Sequence, residues 1–201
     1  MKSKIKSTPD LSANSLLHQQ AIAAGKEHLY SWSYNVQDHL KGFTTDEIKN
    51  HLKNTAMPFS ILLESWVSDL NISSAIRNAN GFNAKQIYYI GNKKFNRRGL
   101  QGVANYSDVN WISTLDEVIR LKDQYRFVGC DNIKGSVPLT TYTWKPNSLI
   151  VMGCEGTGLT PTIQGLCDDM VAIPMMGSVR SFNCSSASAI VMYDYVSKYK
   201  G

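Results

Sequence analysis

The chain is poor in the residues that build metal and disulfide sites. Its four cysteines, Cys130, Cys154, Cys167 and Cys184, are dispersed with no Cys-x-x-Cys pair, which argues against a zinc ribbon and a thioredoxin-type dithiol. Their plain reading is as small buried apolar side chains. The four histidines, His18, His28, His39 and His51, show no metal-like arrangement, so no metal is expected. No segment has the apolar run needed to span a membrane. The basic start "MKSKIKSTPD" is followed by "LSANSLLHQQ" rather than by an apolar stretch of signal-peptide length. A reduced, cytoplasmic protein is therefore expected. Acidic excess is also missing: 21 Lys and Arg face 16 Asp and Glu, a net charge of +5. That balance favours an anionic partner such as nucleic acid, although many basic proteins bind none.

What is present suits one folded domain with an appendage. With 43% hydrophobic and 18% charged residues over 201 positions, the chain can bury a core without staples. Leu16, Leu17, Ile22 and Leu29 space out like an amphipathic helix between about residues 11 and 30. A second helix is predicted in "TTDEIKNHLKN", with Thr44 or Thr45 as N-cap and acids in its first turn. Met57-Pro58 then marks a break, because the residue before proline is pushed out of helical geometry. The expected division is a helical N-terminal extension over 1–56 and the main domain over 57–201.

Past the break, short apolar runs alternate with helical patterns. "FSILLES" (59–65), "QIYYIG" (86–91), "RFVGC" (126–130), "SLIVMGC" (148–154) and "MVAIPM" (170–175) read as strands, several too continuously apolar to have a wet face. "NISSAIRNANGF", "TLDEVIRLKDQ", "PTIQGLCDD" and a final "SSASAIVMYDYVSKY" read as helices. Alternation of this kind predicts an α/β fold, a mostly parallel sheet flanked by helices. Ligands gather at the carboxyl ends of such strands. Function is therefore expected in the loops after Glu64, Cys130, Met152 and Ile173.

Three stretches carry candidate chemistry. "GCEGTG" follows a strand but lacks the lysine and hydroxyl residue of a P-loop, and its glycines do not match the dinucleotide fingerprint. A plain glycine turn explains it as well as a ligand loop does. In "DLNISSAIRNANGF" (69–82), Asn71 can cap the helix and Arg77 lies about two turns inside it. A solvated helix face accounts for such an arginine, and so does a bidentate grip on a phosphate. "VAIPMMGSVRSFNCSSASAIVMYDYV" (171–196) joins a strand end to a terminal helix through Gly177, Ser178, Ser181 and Asn183. Capping explains Ser181 or Asn183, but not the whole ordered set.

Taken together, the three stretches resemble the SpoU/TrmH family of RNA ribose 2'-O-methyltransferases within the SPOUT superfamily. The resemblance runs from about Phe59 to Tyr199. Asn71 with Arg77 is similar to the family's first motif, Gly153-x-Glu155-x-x-Gly158 to its second, and Ile173-Pro174-Met175 with Ser181-Phe182-Asn183 to its third. Each motif alone is weakly specific; the three in order at these spacings are highly specific. Phe182 departs from the leucine common in the family.

The resemblance implies a deep C-terminal trefoil knot, a bent S-adenosyl-L-methionine held largely by loop backbone, and a homodimer with active sites near the subunit interface. By position, Cys130, Asp131, Gly153, Gly158, Ile173, Met175, Ser181 and Phe182 would line the cofactor pocket, the glycines letting the main chain approach the cofactor. Asn71, Arg77, Glu155, Ser181 and Asn183 would make up the catalytic set. A guanidinium is a poor base, so Arg77 is expected to grip a phosphate and stabilise the developing alkoxide. Glu155 is expected to accept hydrogen bonds from neighbouring amides or Asn71 and fix the loop. Asn183 and Ser181 would orient the ribose. Ile190, Val191, Tyr193 and Tyr195 of the terminal helix would face a partner subunit or simply pack on their own sheet.

Basic residues point to the RNA. "GNKKFNRRG" (91–99) gathers Lys93, Lys94, Arg97 and Arg98 around Phe95, a pattern that suits phosphate neutralisation and base stacking but also an ordinary solvated loop. Arg180 is a further phosphate candidate. Tyr30, Trp32 and Tyr34 in the extension suit packing more than stacking. The activity implied is methyl transfer to a ribose hydroxyl of tRNA or rRNA. The alternatives are a SPOUT enzyme acting on a base and a catalytically inactive RNA-binding member of the fold.

Overall fold

The computed structural model describes residues 19–20, 23–25, 36–91, 100 and 102–199. The predicted helix through Leu16, Leu17, Ile22 and Leu29, the aromatics Tyr30, Trp32 and Tyr34, and the basic cluster Lys93, Lys94, Arg97 and Arg98 with Phe95 lie outside them. The chain divides into two compact units, Met1–Asn54 and Thr55–Gly201. In the first, helix α1 (Thr45–Asn54) opens on a reciprocal cap. The Thr44 hydroxyl accepts from Glu47 N (3.3 Å) while Glu47 Oε2 accepts from Thr44 N (2.8 Å). These bonds hold the Glu47 carboxyl below its ordinary pKa. Thr44, rather than Thr45, is thus the cap.

The second unit is built on seven strands, β1 (Met57–Glu64), β2 (Ala84–Ile90), β3 (Val109–Ile112), β4 (Arg126–Cys130), β5 (Val137–Pro138), β6 (Ser148–Met152) and β7 (Asp169–Ala172). They form one sheet in the order β3-β2-β1-β6-β4-β7-β5. Every pairing is parallel, so all strands end on one edge. The helices are α2 (Asp69–Gly81), α3 (Leu115–Arg120), α4 (Pro161–Leu166) and α5 (Cys184–Lys198). None of the described helices is long and apolar enough to cross a membrane.

The continuous apolar runs are explained by burial on both faces. Phe59, Ile61, Leu63, Val128, Ile150 and Met152 point into a cluster with Ile72, Ile76, Val191 and Tyr195 of α2 and α5. Their neighbours Leu62, Phe127, Leu149 and Val151 point the other way, against Val118 of α3 and Ile163 of α4. Alternate residues are thus equally apolar, the signature of a two-sided parallel core. Helices α2 and α5 are joined by Asn78, whose Nδ2 donates to Ser185 O at 3.0 Å.

Several expectations need correction. Strands β3 and β5 have no counterpart among the predicted elements: Asn110 and Trp111 are exposed on an edge strand, and β5 is only two residues long. The predicted helix "PTIQGLCDD" stops at Leu166, because Asp168 turns inward to accept from Phe127 N (2.7 Å) and Lys122 (2.7 Å). The strand "MVAIPM" ends at Ala172. Asn71 does not cap α2; that helix begins at Asp69 after Ser68, and Asn71 is its third residue. In α5, Val191 and Tyr195 are fully buried in their own core, where the Tyr195 hydroxyl donates to Pro58 O at 2.9 Å. Neither can face a partner; Tyr193, 63% exposed, can.

At the opposite edge from the strand ends, Arg126 Nε donates to Asp169 Oδ2 (2.7 Å) and Tyr142 adds its hydroxyl (2.7 Å). The arginine hydrogen bond, opposed by burial and helped by Tyr142, lowers the Asp169 pKa from 3.8. The folded state then binds this proton less readily than the unfolded chain. Its contribution is complete above the ordinary carboxylate range and lost as pH falls through the lowered value. Asp169→Asn is expected to lower stability at neutral pH by an amount that shrinks on acidification, measured by urea unfolding across pH. A pH-independent difference would show that the charge is not the source.

Candidate functional site

The carboxyl ends of β4, β6 and β7 and the start of α5 enclose a cavity of about 520 Å³. This falls within the size range of small-molecule sites. Its walls come from three loops: Cys130 to Ile133 after β4, Gly153 to Gly158 after β6, and Ile173 with Arg180 to Asn183 between β7 and α5. Seven of the eight expected cofactor contacts, Cys130, Asp131, Gly153, Gly158, Ile173, Ser181 and Phe182, are on this lining. Met175 is not; it lies in the loop past the end of β7 at Ala172. A smaller recess of about 300 Å³, lined by Trp66, Val67, Ser68 and Asn71, shares Glu155 and Cys184 with the cavity.

Between the two spaces stands a polar wall. Asn71 Nδ2 donates to Glu155 Oε2 (2.9 Å), and Asn183 Nδ2 donates to Asn71 Oδ1 (3.1 Å) and Glu155 Oε1 (3.3 Å). The other end of Asn183 caps α5, its Oδ1 accepting from Ser185 N (3.0 Å), Ser186 N (3.4 Å) and the Ser185 hydroxyl (2.7 Å). Glu155 therefore accepts from amides of two helices, which uses both oxygens in fixing the loop. Residues 84 and 112 positions apart are brought together here.

The glycines have a reason within the protein itself. The loop closes on itself through Cys154 N to Gly158 O and Gly158 N to Cys154 O, both 3.1 Å. A Cβ on Gly153 would meet the backbone of Gly158 and Leu159, and a Cβ on Gly158, at φ +70°, would meet the Asp131 carboxylate. Close approach of the loop to its own backbone and to Asp131 demands glycine at both. Asp131 Oδ2 accepts from Leu159 N at 3.0 Å, so this carboxylate too is engaged in holding the loop.

Two thiols on the lining, Cys130 and Cys184, are not poised as nucleophiles. Burial, reinforced by the Asp131 charge, pushes Cys130 up to about 12; burial, with Glu155 nearby, pushes Cys184 up to about 11. Both stay protonated at neutral pH. Arg180 is on the lining and exposed, its carbonyl accepting from Asn132 Nδ2 at 3.2 Å. Arg77 is exposed on α2 and lines neither space. The structure thus gathers Asn71, Glu155, Ser181 and Asn183 at one place and leaves Arg77 outside it. One buried carboxylate at this edge, Glu64, carries no sequence signal beyond its place at a strand end.

The SpoU rRNA Methylase family model matches residues 58–193. A 23S rRNA (guanosine-2'-O-)-methyltransferase RlmB of Pectobacterium atrosepticum is 25% identical over 199 residues, 96% of this chain and 76% of that protein. A tRNA (guanosine(18)-2'-O)-methyltransferase of Borreliella burgdorferi is 28% identical over 172 residues, 80% of this chain and 78% of its own. Among solved structures, the SpoU methyltransferase AviRb of Streptomyces viridochromogenes in complex with the cofactor AdoMet superposes with a TM-score of 0.64 at 24% identity. The overlap covers 71% of this chain and 58% of that one, so this chain spans less than two thirds of AviRb.

Asn183→Asp separates the two duties of Asn183. It keeps the oxygen that caps α5 but turns the donor facing Asn71 and Glu155 into a second carboxylate. Were the cap everything, the change would be neutral. We expect a loss of roughly 1 kcal/mol at neutral pH, the cost of removing a donor and setting two carboxylates side by side, recovered on acidification as one of the paired carboxylates takes a proton. Urea unfolding at neutral and mildly acidic pH measures both.

Proposed function

The chain belongs to the SpoU rRNA methylase family, and from that premise we propose that it transfers a methyl group from S-adenosylmethionine to a ribose 2'-hydroxyl of tRNA or rRNA. The observation that carries the reading is the pairing of a loop-lined cavity with a polar wall made of the family-like residues Asn71, Glu155 and Asn183. The lining suits this cofactor. Ile173, Met152 and Phe182 offer apolar and aromatic surface for an adenosine, and the main chain of three loops offers donors and acceptors along it. Cys130, Asp131, Gly153, Gly158, Ile173, Ser181 and Phe182 would hold it. Bound there, S-adenosylmethionine supplies an activated, electrophilic methyl group.

The chain's own residues have the remaining work of presenting and activating an alcohol. Asn183 and Ser181, on the cavity lining beside the wall, orient the ribose. Glu155 acts through the wall it fixes, not as a base. Arg77, exposed and with no hydrogen bond or ion pair to another described residue, is free to grip a backbone phosphate and offset the charge growing on the attacking oxygen, while a phosphate oxygen or water takes the proton. Lys93, Lys94, Arg97, Arg98 and Arg180 belong to the same proposal as RNA contacts. So do the trefoil threading of the C-terminal strands, a cytoplasmic location, the assignment of catalysis to 57–201 with 1–56 as an extension, and a homodimer. For the dimer, the support is apolar surface left bare on the two packed helices, Leu70 (70% exposed) on α2 and Tyr193 (63% exposed) on α5.

Labelled methyl transfer to total tRNA and rRNA, with digestion to nucleosides, tests the activity. Wild type is expected to yield a 2'-O-methylated nucleoside; a methylated base would favour the base-modifying alternative. Arg77→Ala is expected to lower turnover by about two to three orders of magnitude, the worth of a preorganised donor of ~3–4 kcal/mol, with cofactor binding intact. Turnover within about tenfold of wild type would remove Arg77 from the chemistry. Sedimentation is expected to show a dimer that Tyr193→Glu weakens, and a stable wild-type monomer would refute it.

A further inference from the structure

Glu64 ends β1 and is 4% exposed, yet the mechanism above makes no use of it. A buried carboxylate is costly unless its oxygens are satisfied. Both are satisfied by a single residue: Oε2 accepts from Thr160 N at 3.0 Å and Oε1 from the Thr160 hydroxyl at 2.5 Å. The amide just before it, Leu159 N, goes to Asp131 at the end of β4. Strand β6 lies between β1 and β4. The loop leaving β6 is therefore tied, through two successive amides, to the ends of both neighbouring strands. The Thr160 hydroxyl also accepts from Ile163 N at 3.4 Å as the N-cap of α4.

From this geometry we infer that Glu64 is a positioning residue for cofactor binding, setting through Thr160 where the Gly153–Gly158 main chain stands along the cavity wall. The inference rests on the reading of that cavity as the S-adenosylmethionine site. The loop is a closed ring, bridged between Cys154 and Gly158, so it moves as a unit. Besides the hydrogen bonds that Glu155 takes from Asn71 and Asn183 at its tip, the loop is held at its exit by two carboxylates, Asp131 and Glu64. Without Glu64 the exit keeps Asp131 and the buried Leu159 side chain and the tip keeps the Glu155 bonds, so the main chain between them can shift without exposing the core. Loss of Glu64 should thus loosen the pocket more than the fold.

The test is calorimetric binding of S-adenosylmethionine to the full chain for wild type, Glu64→Leu, Glu64→Gln, Thr160→Val and Asp169→Asn, with each variant's unfolding free energy measured alongside. Glutamine can retain the link, its carbonyl accepting from Thr160 N and its amide donating to the hydroxyl. Relative to wild type, Kd is expected to rise at least about tenfold in Glu64→Leu, less in Thr160→Val, and to stay within about threefold in Glu64→Gln. Asp169→Asn, destabilised at the far edge of the sheet, is expected to bind as wild type. In methyl transfer, Glu64→Leu should raise KM for the cofactor with kcat at saturation largely kept. Wild-type affinity in folded Glu64→Leu overturns the inference. So does weakening in all variants, Asp169→Asn included, in proportion to lost stability. Failure of the wild type itself to bind the cofactor is a different result and overturns the proposed function.

Discussion

A parallel sheet delivers the ends of all its strands to one edge, and the loop leaving each strand there must be given a shape. After β6 that shape is set by carboxylates. Asp131 and Glu64, on the strands either side, accept the amides of Leu159 and Thr160, and Glu155 within the loop accepts from Asn71 and Asn183. Each acid is matched to donors of the backbone, of side-chain amides or, for Glu64, of a hydroxyl, rather than to a lysine or arginine. Backbone donors do not swing as long cationic side chains do, so they fix position more tightly for the same desolvation. The cavity beside the loop has its form because these three matches hold together.

The same matching explains why so few side chains at the site are left for chemistry. The thiols of Cys130 and Cys184 are held protonated. Asp131, Glu155 and Asn71 are committed to structure, and Asn183 divides itself between a helix cap and the polar wall. The enzyme we propose works by placement, with the one strongly charged group of the first motif, Arg77, standing exposed outside the wall.

Much of this was legible in the residues. Strands buried on both faces announced themselves as unbroken apolar runs, and the order of the three motifs led to the family. Glu155 was legible as a loop-fixing acceptor only through the resemblance, which put it at the edge of the cofactor pocket. Edge strands were not: β3 is half wet and β5 holds two residues, too short for any period. The glycines signalled close approach but not its object, since Gly153 and Gly158 face chain that is local or, at Asp131, 27 residues away. Val191 and Tyr195 looked eligible for a partner because an apolar helix face reads alike whether it meets its own sheet or another subunit. Glu64 was invisible as an anchor because its partner, Thr160, is 96 residues distant.

Those sequence separations bear on how the protein comes to be active. Asn183 reaches Asn71 across 112 residues and Glu155 across 28, and its own orientation is fixed by the first turn of α5. The wall cannot exist until α5 has docked beside α2, whatever the state of the strands. Contacts so distant in the chain form late, after the entropy of closing long loops has been met by other pairings. A chain stalled with its sheet formed and its last helix undocked would hold an open groove in place of a pocket. Maturation of the site is thereby coupled to completion of folding, and a half-folded molecule offers RNA and cofactor no assembled centre at which to react.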